Sequence, residues 1–344
     1  MRIFGKIGEN KRFEAVDAVR FIMAIAVIAA HTNPVVNVEN VMVLESVAFI
    51  TELMNPFFFI ASGFFLFYKM KKPYEENLEY MDKYLKKIIR LYVTWTFLSI
   101  PVHIYGYVLS GESLIHCIFS YIKYFLFVGK LYNSGHLWYL LALIYAVPAI
   151  RVLLKHKVKL PLIFVISFLI FTGNYIMCEL AKKVEIMDNP AGRIVSIYTS
   201  VFNKGGVFTG FFYVSLGMLI AHGKRWLNVW IAIAGLAFFQ IINIRFGLSY
   251  NAYLTAAEGV LLFMGILGTP SAKNKYGSIF RQMSELMYLS HLLFFSLYTI
   301  VIIKQPNKLG VDSFVFTVTL SGIFAIVFIK LRNRAGFRWI GKLV

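Results

Sequence analysis

Cysteine is nearly absent from this sequence: Cys117 and Cys178 are the only two in 344 residues. Their spacing matches no zinc-ligand or redox motif, which leaves packing as the default role for both. A disulfide between them stays open, because the topology derived below puts both near the outer face, where oxidation is permitted. Charge is scarce as well. Only 15% of the residues are charged, and 17 Asp and Glu stand against 35 Lys and Arg, while 59% of the chain is hydrophobic. A soluble globular domain is excluded by that combination. No phosphate-binding glycine loop and no zinc-type His-Glu-x-x-His occurs, so soluble nucleotide and zinc-hydrolase chemistry have no motif to stand on, and no metal is expected. No small-residue cleavage site follows the first apolar stretch, which is therefore read as a retained span rather than a removed signal peptide. No internal repeat is visible, and this weighs against inverted-repeat transporter folds.

What fills the chain is apolar sequence. Runs of about 20 residues recur along it, each able to cross a hydrocarbon core ~30 Å thick as a helix. The implied fold class is all-α: a polytopic membrane domain of about ten helices over 18–330, between a segment at 1–17 and a basic tail at 331–344. The spans fall near 18–36, 45–68, 88–109, 136–154, 160–178, 197–221, 227–244, 252–269, 282–303 and 312–330. Most Lys and Arg residues then lie in alternate connections: Arg2, Lys6, Lys11 and Arg12 at the start, Lys69 to Arg90, Arg151 to Lys159, and Lys330, Arg332, Arg334, Arg338 and Lys342 at the end. Such clustering is a topology signal, not a nucleic-acid footprint, and it places both termini in the cytoplasm of a multi-pass cell-membrane protein. Segment 112–130 is read as a short outer or re-entrant helix, because a full span there would push Arg151, Lys155, Lys157 and Lys159 outside. In the second span Pro56 removes a backbone donor and Ser62-Gly63 permits close helix approach, so a kinked, tightly packed helix is expected. Gly205-Gly206 marks a candidate broken helix start before the sixth.

Few ionisable groups interrupt these spans. Arg20 and His31 share the first; eleven residues at 100° each leave about 20° between them, so both project from one face roughly 16 Å apart along the axis. Buried ionisable groups in a membrane face a bundle interior or a wet cavity, because lipid offers no partner. Each also has a plainer reading, Arg20 snorkelling to headgroups and His31 sitting at the interface. Glu52 lies in the second span, Glu258 in the eighth, His291 in the ninth, and His136 at the outer mouth of the fourth in Gly135-His-Leu-Trp-Tyr139. His31 and His136 both belong to the outer half, and a neutral imidazole suits a general base acting on a hydroxyl. His291 fits a helix-to-helix hydrogen bond as well as a site residue, and Trp138 and Tyr139 fit an interfacial aromatic belt.

Arg20-x10-His31, Phe57-Phe-Phe-Ile-Ala-Ser-Gly-Phe64, His136-Leu-Trp-Tyr139 and Tyr288-Leu-Ser-His291, in that order along nearly the whole chain, resemble the membrane acyltransferase-3 family. The resemblance implies a bacterial ten-helix membrane enzyme taking an acyl group, usually acetyl, from coenzyme A on the cytoplasmic side and delivering it to a hydroxyl of a cell-envelope carbohydrate or similar acceptor. It makes His31 and Arg20 the catalytic pair, with Arg20 also holding the acyl-CoA donor; Glu52, His136, Glu258 and His291 are candidates for the acceptor. The family's cytoplasmic Arg-x-x-Arg before the third span reads Lys87-Ile-Ile-Arg90 here, which keeps the charge and loses one bidentate phosphate fork. The soluble acyl-relay domain that some members append is not in this chain, so direct delivery to the acceptor is expected. The same segments are also similar to the membrane half of membrane-bound serine/alanine racemases, which implies an alternative: a membrane domain that binds or transports L-serine, cut from a longer fusion.

Overall fold

In hydrocarbon every backbone N–H and C=O must find its partner within the protein, so uninterrupted apolar sequence of this kind folds as helix. The computed structural model describes residues 4–6, 13–70, 73–184, 190–202, 206–247, 251–269, 276–332, 334 and 341. Arg2, Lys11, Arg12, Gly205, Arg338 and Lys342 lie outside the described residues. Among those described, the helices are α1 Glu14–Thr32, α2 Val41–Tyr68, α3 Leu78–Leu98, α4 Ile100–Ser110, α5 Leu114–Lys123, α6 Trp138–Lys155, α7 Leu160–Val184, α8 Pro190–Phe202, α9 Val207–Gly223, α10 Val229–Phe246, α11 Ala252–Gly268, α12 Gly277–Ser296 and α13 Val311–Arg332. Short π-helical turns extend α5 over Tyr124–Val128 and α12 over Leu297–Ile302. The class is all-α and polytopic, as the apolar pattern requires.

Seven helices among the described residues are long and apolar enough to cross a membrane; Tyr74–Leu98 and α4 pass the same test only together and bend by 54°, as a broken span or a re-entrant loop does, and Leu114–Val128, α9 and α11 are shorter apolar helices. Three boundaries differ from the sequence reading. The basic stretch ending at Arg90 is not a connection, because α3 already starts at Leu78 and buries Met81, Ile88, Leu91, Tyr92 and Trp95 at helical spacing while its polar residues take the other face. The third span bends between Leu98 and Ile100, where Pro101 starts α4 and cannot supply the N–H that would continue α3. The sixth span is split into α8 and α9, and Gly206 at the start of α9 holds a left-handed φ of +48° with no room for a side chain, since a Cβ there would lie 2.1 Å from the Trp138 ring. Segment 114–128 is short and largely exposed, with Leu114 and Phe119 at 75% and 70% accessibility.

The chain forms two compact units, one of Met1–Ala61 with Ile220–Val344 and one of Ser62–Leu219. In the first, α1 packs on α12 and α13 around Ile28, Leu286, Met287, Ala325 and Phe328. Gly259 on α11 lies against Pro56 on α2, where an added Cβ would come within 2.7 Å of the proline ring, and Phe57 meets Phe263 at 6.0 Å. Helix α2 runs through Pro56 as one element. A two-stranded antiparallel ribbon, β1 Phe4–Lys6 with β2 Arg225–Leu227, ties the amino-terminal segment to the turn before α10.

The second unit is held by close backbone approach and by paired polar groups. Gly63 is pressed against the Val214 carbonyl, and a Cβ there would fall 2.0 Å from its oxygen, so Ser62-Gly63 does mark a tight helix crossing. Arg151 on α6 grips Asp82 on α3, with Nη2 donating to Oδ2 at 2.8 Å and Nε 2.6 Å from Oδ1. Tyr92 and Tyr145 donate to the carbonyls of Phe125 and Leu126 at 2.6 and 2.7 Å. His103 and Ser134 share a 2.7 Å hydrogen bond. Cys117 and Cys178 are both free thiols, so the disulfide left open by the sequence is not formed.

Candidate active site

The α1 and α12 helices lie side by side, and each carries an arginine near its start and a histidine further on. At the far end His31 and His291 bring their rings to 5.3 Å between centroids, tilted by 40°. His291 is fully buried, and its Nδ1 is 2.6 Å from the Tyr288 carbonyl oxygen. A carbonyl only accepts, so Nδ1 carries a proton. Tyr288 stands 6.1 Å from His291 and 6.0 Å from Phe58 of α2, so an aromatic row runs from α2 to the two histidines. The end of α1 is fixed beside them: Thr32 is buried, its hydroxyl donates to the Ile28 carbonyl at 2.8 Å, and its carbonyl accepts from Gly310 at 2.9 Å. Asn33 closes the helix in the left-handed region with φ 40°.

At the other end Arg20 lies 3.8 Å from Asp17, and the same carboxylate lies 3.7 Å from Arg281 of α12. One acid therefore serves two guanidinium groups. Arg20 and Asp17 side chains are mostly covered, at 18% and 12% exposure, while Arg281 is 53% exposed. The sequence reading found Arg20 and His31 but missed Asp17 and Arg281. Asp17 was assigned to the segment before the first span, whereas α1 begins at Glu14 and includes it. The signal for Asp17 was present in Asp17-x-x-Arg20, a pair at one-turn spacing.

Glu258 on α11 is wholly buried, and neither carboxylate oxygen makes a hydrogen bond among the described residues. Glu52 on α2 is half-buried and near enough to interact with it electrostatically. Arg20, His31, Glu52, Glu258 and His291 thus all belong to the first unit. His136, Lys87 and Arg90 belong to the second. His136 is buried in the 3-10 turn Gly135–Leu137 that leads into α6. Lys87 is half-buried and Arg90 exposed on α3. Trp138 and Tyr139 both have partners within the protein: the Trp138 ring covers Gly206 under the Lys130 ammonium at 5.2 Å, and the Tyr139 hydroxyl is 2.6 Å from that of Ser62.

Apolar spanning helices that bury a carboxylate and a histidine and partly cover an arginine and a second histidine define a multi-pass membrane protein with polar groups inside its helices. The chain belongs to the membrane acyltransferase-3 family, whose model, described as an acyltransferase domain, matches residues 13–330. Among curated proteins it is similar to an amino-acid racemase of Enterococcus faecalis, 31% identical over 63% of this chain and 29% of that protein. A second amino-acid racemase of the same organism is 25% identical over 94% of this chain and 47% of its own length. The chain thus spans less than half the length of the curated relatives it matches. No solved structure matches it.

Proposed function

We propose that this protein is a membrane-embedded O-acyltransferase that moves an acyl group, acetyl by preference, from coenzyme A on the cytoplasmic side of the cell membrane to a hydroxyl of an envelope carbohydrate. The observation that carries this reading is the His31 and His291 pair, 5.3 Å apart at the end of a helix whose other end holds Arg20. In it, His31 takes the proton of the acceptor hydroxyl as that oxygen bonds to the thioester carbonyl carbon. The carbon–sulfur bond then breaks, and the coenzyme A thiolate leaves and recovers a proton from the His31 imidazolium. His291 acts on that exchange: two imidazolium rings at this distance repel, so His291, with Nδ1–H committed to Tyr288, stays neutral while His31 charges. Proton transfer of this kind contributes roughly 10²- to 10⁴-fold. Arg20 and Arg281 around Asp17 supply cations for the donor's phosphates.

A second reading draws on the relatives' names. An amino-acid racemase that carries this domain as part of a longer chain would use it to bind or pass its amino acid, L-serine in the reading suggested by the sequence, with Arg20 holding the carboxylate. Acyl-CoA consumption by purified protein in nanodiscs, with envelope sugars and L-serine as acceptors, separates the two. Acceptor-dependent thioester loss that disappears with His31→Ala supports acyl transfer. Serine uptake into liposomes without thioester loss replaces it with the second reading.

A further inference from the structure

The proposed reaction leaves one group unused. Glu258 has no accessible surface, and both its oxygens lack a hydrogen bond among the described residues. A carboxylate in that state costs several kcal/mol unless charge or donors reach it. It also lies in the same layer as the histidines. Gly259, the next residue, packs on Pro56 and Ile60 of α2, while Phe58, between those two, faces Tyr288 of α12, one turn from His291. Glu258 is therefore level with Tyr288 to within about one helical turn, ~5 Å. Glu52, a turn before Pro56 on α2, lies near enough to act on Glu258 electrostatically. A hydrogen bond between the two acids would satisfy Glu258, and it is not made. A metal ion would need a third ligand, and among the described residues no group of three His, Cys, Asp or Glu is available. A neutral hydroxyl brings one donor and no charge. An ammonium brings one positive charge and three donors, enough for oxygens of both acids.

We infer that Glu258, with Glu52 beside it, is a subsite for a primary ammonium group, so that the acceptor whose hydroxyl meets His31 also carries a free amine, as an amino sugar or an amino acid does. The inference rests on the reading of the His31 layer as the acceptor site, and its test reads binding rather than turnover. Equilibrium binding of radiolabelled glucosamine and L-serine, each beside its N-acetylated form, is measured on the full chain in nanodiscs. At least one amine binds, and N-acetylation weakens it tenfold or more. Glu258→Gln abolishes that preference, Glu258→Asp keeps part of it, and both variants elute as the parent does on gel filtration. The responding arm tells amino sugar from amino acid. Equal binding of free and N-acetylated forms, no binding of either amine, or a preference that survives Glu258→Gln overturns the subsite. Acyl transfer to a neutral acceptor that survives Glu258→Gln leaves the transferase reading standing and removes this one. Amine binding without any thioester loss does the reverse.

Discussion

The two units of this protein treat their carboxylates differently. In the second, Asp82 is matched to one partner, Arg151, by two short contacts of 2.6 and 2.8 Å. In the first, Asp17 is divided between Arg20 and Arg281 at 3.8 and 3.7 Å, and Glu258 has no hydrogen bond among the described residues. A one-to-one, bidentate pair has spent its charge on holding two helices together. An acid shared between two arginines at 3.7–3.8 Å makes no close bidentate bond to either, and a buried acid without a hydrogen bond among the described residues is a place for a donor from outside. The difference suggests that charge in the first unit serves ligands and charge in the second serves packing.

The largest expected effect tests that division directly. His31→Ala lowers acyl transfer by roughly 10²- to 10⁴-fold with the thermal midpoint nearly unchanged, read by thioester loss and by scanning fluorimetry on the same preparation. A comparable loss of midpoint would make His31 a packing residue. Gly63→Ala does the opposite in the second unit. Its new methyl meets the Val214 carbonyl, and overpacking of this kind costs about 1–3 kcal/mol, visible in the midpoint, while activity per folded molecule is retained.

A matched pair sharpens the comparison at smaller amplitude. Asp82→Asn lowers stability by about 1 kcal/mol, as expected for a partly exposed pair, and leaves the KM for acyl-CoA alone. Asp17→Asn also lowers stability but reduces that KM roughly threefold, because two guanidinium groups lose their shared acid at a partly wet site. Equal KM values in the two variants would erase the distinction. Smallest of all is Tyr139→Phe, which removes the hydroxyl facing Ser62 and costs about 1 kcal/mol without a change in activity.

Much of the fold was legible because lipid leaves a spanning segment little choice. Twenty apolar residues in water have many fates, whereas in hydrocarbon they fold as helix or do not enter. What escaped were places where the chain itself breaks the rule: Pro101 in the first turn of α4 and the amphipathic start of α3 among lysines, whereas the break at Gly206 was marked and only its cover by Trp138 was not. Arg20 and His31 were found by spacing within one helix. Asp17 and Arg281 were not, and His291 was named without its pairing to His31, since Arg281 and His291 come from a helix more than 200 positions away and no periodicity within α1 encodes which helix will lie beside it. Trp138 and Tyr139 were legible as aromatic, but their engagement with Gly206 and Ser62 depends on tertiary packing.

The neighbours of α1 also set an order of events during biogenesis. This helix leaves the ribosome well before α12 and α13, which enclose its core face, and β1 must likewise wait for β2. Until then Arg20 and His31 sit in the bilayer without the groups that will surround them, at a cost only temporary partners, lipid headgroups or an insertase can relieve. Chains interrupted before α12 would therefore retain the Arg20-x10-His31 motif while lacking the ring that His31 faces. The histidine pair comes into being only after α12 has been made, so it doubles as a report that α1 and α12 have met.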